Sequence, residues 1–247
     1  MLNVIPVLIG LLLGLLGGGG TVLAVPALIY FYGLETKTAI TASLLVVGIS
    51  SFLVSIKPFL GGRCPLRKIL AFTVFAILGA FLSAKFISGY LSNQAQLLAF
   101  AVLIIVIGFL MLVKIEFLQA VPVGVINFFE RQSWLLAFGV GIITGLVGVG
   151  GGFLLVPSLH YFLKLPLRSA IETSLVIIAL QSMSAFAGYI LSVKLDYSLL
   201  LPFILWVLVG IFIGQFFRNK INESWLKKSF GILLVVLGLV ILLYNYN

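Results

Sequence analysis

Carboxylates, histidine and cysteine are almost missing from this 247-residue chain: six Asp and Glu residues, one His and one Cys stand against 62% hydrophobic residues. Asp196 is the lone aspartate and His160 the lone histidine. Without a second imidazole, a thiol cluster or a paired acidic motif, the sequence offers neither a metal triad nor a hydrolase dyad. It also lacks a Gly-Lys-Thr/Ser phosphate loop. No enzyme activity, cofactor or metal is therefore expected. The single thiol, Cys64, sits between Arg63 and Pro65, which excludes an intrachain disulfide, and it reads as an incidental loop residue.

Charge is scarce too, at 9% of residues, and the mean hydropathy is +1.31. Such a chain is outside the range of water-soluble domains. Apolar segments run over 2–33 (broken at 17–21), 38–56, 69–91, 95–113, 134–163 (broken at 148–152), 169–191, 197–217 and 226–244. The six unbroken ones are each near the roughly 20 residues that cross a hydrocarbon core about 30 Å thick. The first has no basic stretch before it and no Ala-x-Ala-like site after it, so it is expected to remain in the mature protein.

Eight segments fall into two fours. Pairing each residue of Gly14 to Leu44 with the residue 131 positions later gives 16 identities in 31 positions, without a gap. They include Gly14, Gly17, Gly19, Gly20, Pro26, Tyr30, Ala39, Ile40 and Ser43. Apolar chance matches produce Leu and Val identities, not aligned Gly, Pro and Tyr, so the chain is an internal duplication. The register extends to Gly79/Gly210 and Ser83/Gly214. The units are 1–113 and 134–247, with 114–133 as an interfacial linker carrying Glu116, Pro122, Glu130 and Arg131 among Phe117, Phe128 and Phe129.

Basic residues decide how the halves are oriented. If all eight segments cross, the 15 Lys and Arg residues divide almost evenly between the two sides. If the two glycine-broken segments enter and return, only Lys37, Lys85 and Lys194 lie on one side and the other twelve gather opposite, as the positive-inside rule requires. The expected fold is an all-α integral membrane protein of two inverted repeats. Each repeat is a re-entrant broken helix followed by three spanning helices, and both termini lie outside. The net charge of +9 is then explained by orientation and anionic lipid, with no nucleic-acid partner.

The breaks carry the functional signal. Gly17, Gly18, Gly19, Gly20 and Thr21 recur as Gly148, Val149, Gly150, Gly151 and Gly152. Bare main chain at membrane depth survives where protein or a water-filled cavity satisfies its N–H and C=O groups, so each break marks the wall of a solute site. Glycine permits positive φ and close approach, Thr21 stands at an N-cap position, and exposed N–H groups favour a small anion. The alternative role of the glycines is close helix packing.

In the helix after the second break, Ser174, Gln181, Ser184 and Gly188 fall on one face, with Ser43, Ser50 and Lys57 as counterparts in the first half. This polar stripe either contacts solute oxygens or bonds neighbouring helices. Pro26 and Pro157 read as tolerated kinks, Tyr30 and Tyr161 as interface anchors, and His160 as an interfacial polar residue. Glu172 reads as a charge at a helix N-terminus, with proton coupling as the alternative.

The glycine segments 14–20 and 145–152, with Pro26 and Pro157 behind them, resemble the sulfite exporter TauE/SafE family of membrane permeases. So do Ala39-Ile40-Thr41-Ala42-Ser43-Leu44 and Ala170-Ile171-Glu172-Thr173-Ser174-Leu175, and the resemblance spans essentially the whole chain. It implies a multi-pass permease of the cytoplasmic membrane moving a small sulfur-containing anion such as sulfite, a sulfonate or sulfoacetate. It also makes the glycine breaks with Thr173 and Ser174 the site. A non-transporting membrane scaffold and a permease for another organic anion are the alternatives, and a homo-oligomer is compatible with either. In the re-entrant arrangement a cysteine introduced at Asn3 or Asn247 is labelled by an impermeant maleimide from outside the cell; labelling from the cytoplasm removes that arrangement.

Overall fold

The computed structural model describes residues 4–16, 21–61, 66–112, 132–148, 150–217 and 223–246, and among them every regular element is helical. The first half contains α1 (Val4–Leu16), α2 (Ala24–Tyr30), α3 (Thr36–Leu60), α4 (Leu66–Leu82) and α5 (Asn93–Leu112). Helix α4 continues through a π-helical turn, Ser83–Ile87, and a last turn, Ser88–Tyr90. The second half repeats the series as α6 (Ser133–Val147), α7 (Gly152–Pro157) with a π-helical turn Ser158–Phe162, α8 (Leu167–Tyr189), α9 (Tyr197–Phe217) and α10 (Glu223–Tyr246). Segment 114–131, assigned to the linker, lies outside the described residues, as do Cys64 and Gly17 to Gly20.

Five of these helices are long and apolar enough to cross a membrane: Thr36–Leu60, Ile69–Tyr90, Asn93–Leu112, Ser169–Tyr189 and Tyr197–Phe217. This is a multi-pass membrane protein. Helices α3 and α8 are the most buried, while α5 and α9 turn residues such as Val102, Val106, Leu205 and Phe212 outward as a lipid-facing surface. At the head of α9 the Asp196 carboxylate caps the helix. It accepts from the Ser198 N–H at 2.9 Å and hydroxyl at 2.7 Å, bonds that hold it below the usual carboxylate range.

Helix pairing follows the 131-residue register. A Cβ on Gly10 would collide with the carbonyl oxygen of Val207, and one on Gly14 with that of Ile211. The equivalents in the other half, Gly141 and Gly145, would collide with the carbonyls of Ala76 and Ala80. Gly210 faces the carbonyl of Val7, and its counterpart Gly79 faces that of Phe138. Thus α1 packs on α9 and α6 on α4, each pair parallel and joined backbone to backbone, and each half lends its first helix to the other. Apolar lipid gives helices no hydrophobic reason to associate, so this close van der Waals fit at Gly-x-x-x-Gly spacing is what joins the halves.

Counterpart helices meet across the centre. Gly48 of α3 lies against Met183 of α8; Ile40 and Leu44 share one cluster with Phe186 and Tyr189, whereas Val47 shares another with Ile177 and Ile178. Helices α3 and α8 therefore run antiparallel. The same holds for α5 and α10, where Gly108 faces Gly231 and Gly238 faces Ala101.

In the first half, the outer ends of α1 and α2 share a level. Gly10 lies level with Val207, so Phe203, one turn earlier, is level with the start of α1. The ring of Tyr32, which follows α2, packs edge-on against Phe203 with centroids 5.3 Å apart. Helix α2 thus ends at the level where α1 begins.

Gly10→Ala and Gly141→Ala should each lower the thermal midpoint of the detergent-purified protein by about 5 °C, an overpacking cost of about 1–3 kcal/mol. Gly139→Ala, at a position with nothing within 4 Å of the new methyl, should leave it unchanged.

Candidate functional site

The second glycine break is held between α3 and α8. Helix α6 ends on Gly148, whose N–H donates to the Thr144 carbonyl at 2.9 Å, and α7 starts after Gly151. Gly148, Gly150 and Gly151 all have left-handed φ, at 75°, 66° and 72°. Space is as restrictive as conformation: a Cβ on Gly148 would stand 2.7 Å from Ile40 Cγ2, and one on Gly150 2.5 Å from Val47 Cγ1. Only glycine fits the backbone shape and the packing together.

Three carbonyls freed by the break are tied back by side chains from other segments. The Ser43 hydroxyl donates to Gly148 O at 2.6 Å, and Gln181 Nε2 to Gly150 O at 2.7 Å. The Tyr189 hydroxyl reaches Leu146 O at 3.4 Å while accepting from Gln96 Nε2 at 3.3 Å. The hydrogen bonds of the break thus engage its oxygens. Among the described residues none of them uses the N–H of Gly150, Gly151 or Gly152. A segment whose acceptors are tied away and whose donors remain is suited to negative charge.

Several buried polar atoms of the described residues have no partner. They are the hydroxyls of Ser50, Ser51, Thr173 and Ser182, Gln181 Oε1 and Gln96 Oε1. Ser50 and Gln181 are 131 positions apart, as are Ser51 and Ser182. Since Gly48 meets Met183 and the two helices are antiparallel, residues 50 and 181 lie at one level. Leaving such a group unpaired costs about 1–3 kcal/mol, so the gathering of Ser50, Ser51, Gln181 and Ser182 in the middle of α3 and α8 has no structural benefit.

Most expected site residues of the second half converge here: Gly148, Gly150, Gly151, Gly152 and Gln181 meet Ser43 and Ser50 of the first half. Ser174, the equivalent of Ser43, is buried about two turns before Gln181 on α8 and donates to the Ile171 carbonyl at 2.9 Å, as Ser43 also does to Ile40 at 2.8 Å. Thr173 is fully buried, and Glu172 is half-buried in the second turn of α8.

Two expectations are corrected. Thr21 is not the N-cap of α2: it opens a 3-10 turn that winds directly into the helix, so the cap falls on Leu23, in a helical conformation and without a side-chain hydrogen bond. The stripe on α8 also divides. Gln181 faces the break, but the Ser184 hydroxyl donates to Ile77 O of α4 at 3.2 Å, and Gly188 packs on Ala84. Those two residues bond helices together, because α4 itself lies along that part of α8. His160 meets the Leu165 carbonyl through Nδ1 at 2.8 Å, and the side chains of Pro157 and Tyr161 lie outside the described ones.

Ser51, Ser182, Tyr189 and Gln96 were not among the expected residues. Ser51 and Ser182 carried a signal, an identical pair in the repeat register; Tyr189 and Gln96 carried none, their counterparts being Pro58 and Lys227.

The model of the family described as sulfite exporter TauE/SafE matches residues 3–241. A probable membrane transporter protein of Xylella fastidiosa (strain Temecula1) is 28% identical over 244 residues, covering 95% of this chain and 91% of its own. The probable membrane transporter protein YdhB of Bacillus subtilis is 24% identical, covering 95% and 96%. The probable membrane transporter protein MJ0441 of Methanocaldococcus jannaschii is 23% identical, covering 98% and 95%. No solved structure matches.

Ser43→Ala and Gln181→Leu each orphan a buried carbonyl and should cost about 1–3 kcal/mol, read as a lower thermal midpoint in detergent. Ser51→Ala and Ser182→Ala remove hydroxyls that have no partner and, in sodium-free buffer, should not lower it.

Proposed function

This chain belongs to the sulfite exporter TauE/SafE family of membrane transporters, and from that membership we propose that it is a permease moving a small sulfur-containing anion of the sulfite, sulfonate or sulfoacetate class across the cytoplasmic membrane. The observation that carries the anion is the second break, with its carbonyls tied by Ser43, Gln181 and Tyr189 and its glycine N–H groups outside those bonds. Small, oxygen-rich anions match such a site because backbone N–H groups and serine hydroxyls donate to several oxygens at once, without a fixed cation to trap the solute.

On this reading Gly148, Gly150, Gly151 and Gly152 with Thr173, Ser174 and Gln181 form the second-half wall. Gly17 to Gly20, Thr21, Ser43 and Ser50 form the first-half wall. Glu172 serves as a charge in the first turns of α8. The repeats are inverted and the broken segments re-entrant. Three observations support this: antiparallel pairing of α3 with α8, return of α2 to the starting level of α1, and the twelve-to-three division of basic residues. Transport then proceeds by movement of one repeat against the other around a fixed central site.

Reconstituted alone in liposomes, the protein should take up radiolabelled sulfite or a labelled sulfonate, and Gly151→Leu should insert normally yet transport about 100-fold less. Full activity in Gly151→Leu refutes the site, and inserted wild-type protein that moves neither solute refutes the substrate class.

A further inference from the structure

Gln181 contradicts a site made purely of donors. Its Nε2 is committed to Gly150 O at 2.7 Å, which fixes the other end of the amide, and Oε1 is left buried with no donor. A carbonyl oxygen facing an anion is repelled by it, so this acceptor needs a positive partner. None of the described lysines supplies one. Lys37, Lys57 and Lys228 lie in the end turns of their helices, and Lys85, Lys164 and Lys194 near the ends or in loops.

Other oxygens gather beside it. Ser182 Oγ stands 3.2 Å from the position a Cβ of Gly150 would take, and Val47 touches the same position. Ser50 and Ser51 follow Val47 by three and four residues, on the same face of α3. All three hydroxyls are at most 1% exposed and lack partners, and hydroxyls can turn their lone pairs toward a common point.

We infer that Gln181 Oε1 and the hydroxyls of Ser51 and Ser182, with Ser50 beside them, hold a sodium ion next to the anion. The inference rests on the reading of the break as an anion site. The ligands are neutral, hard oxygens with no carboxylate among them, which suits a singly charged alkali ion and disfavours calcium or magnesium. The negative end of the α6 dipole, at Val147, points at the same region, in keeping with half-helix ends that bind co-transported ions in other duplicated transporters. The short serine side chains and the tight Gly48–Met183 approach favour a small ion over potassium. Opposite charges in one buried site bind cooperatively and reciprocally: the anion raises sodium affinity by the factor by which sodium raises anion affinity, here about tenfold.

The test is binding of radioactive sodium to the detergent-purified full chain in choline buffer. Saturable binding is expected, displaced by lithium better than by potassium and strengthened about tenfold by sulfite. Ser51→Ala and Ser182→Ala should weaken it at least tenfold. Both lose an unpartnered hydroxyl, so a thermal midpoint equal to wild type in choline shows that folding is not the cause. In liposomes sulfite uptake should follow an imposed sodium gradient. Absence of saturable binding, or unchanged binding in both variants, overturns the inference while the anion reading stands. Sulfite uptake equal in sodium and choline overturns it as well, and uptake that then rises as pH falls assigns Gln181 Oε1 to a proton carried by the solute. Sodium binding that the variants lose, in a protein that moves neither sulfite nor a sulfonate, upholds the cation site and removes the substrate class.

Discussion

A main chain without helical hydrogen bonds has no water to turn to inside a bilayer, and the centre of this protein is organised around that constraint. At the second break the donors come from elsewhere: Ser43 on α3, Gln181 in the middle of α8 and Tyr189 at its end. Each must sit within about 3 Å of its carbonyl, so α3 and α8 are fixed relative to α6. The steric fit is equally demanding, since Ile40, Val47 and Thr144 fill the space a side chain at the break would take. The result is a one-sided stretch of backbone. Its oxygens face the protein, and its polarity toward anything else is that of its N–H groups.

The rigidity needed for such an arrangement comes from the helix pairs outside it. Gly10 and Gly14 on Val207 and Ile211, and Gly141 and Gly145 on Ala76 and Ala80, lock the first arm of each broken segment onto a helix of the opposite half. Backbone-to-backbone contact of this kind has no flexible side chain to yield, so the arm position is set within tenths of an ångström. Because each half holds the other's arm, neither arm is positioned by its own repeat alone. The site is a product of the duplication.

Much of this is legible in the chain. Segment ends agree within a few residues, as for 38–56 against Thr36–Leu60 and 197–217 against Tyr197–Phe217, because lipid forces long unbroken apolar runs that soluble folds do not show. The breaks are legible because four glycines in a row serve no helix. What escaped reading is what depends on a partner. Gly10 and Gly141 are ordinary membrane-helix glycines until Val207 and Ala76 are placed against them. Ser184 and Gln181 share a helix face by arithmetic, yet α4 claims one and the break the other. Thr21 looks like the cap of α2, but a 3-10 turn over 21–23 leads into the helix and moves its cap to Leu23.

Divergence between the repeats carries the last step. Two identical inverted halves would give the inward-open and outward-open forms equal energy, since exchanging the conformations of the halves converts one into the other. Here the central pair is Ser50 and Gln181, and only Gln181 is long enough to reach a break carbonyl; Ser50 has no partner. Thr173 likewise has no hydroxyl as its counterpart, its equivalent being Ala42. On the proposed reading, the structure is the form in which Gln181 clamps the second break while Ser50 makes no such contact. One hydrogen bond of net worth about 1 kcal/mol shifts a balanced pair of states about fivefold, enough to give a symmetric scaffold a resting side without preventing its reversal.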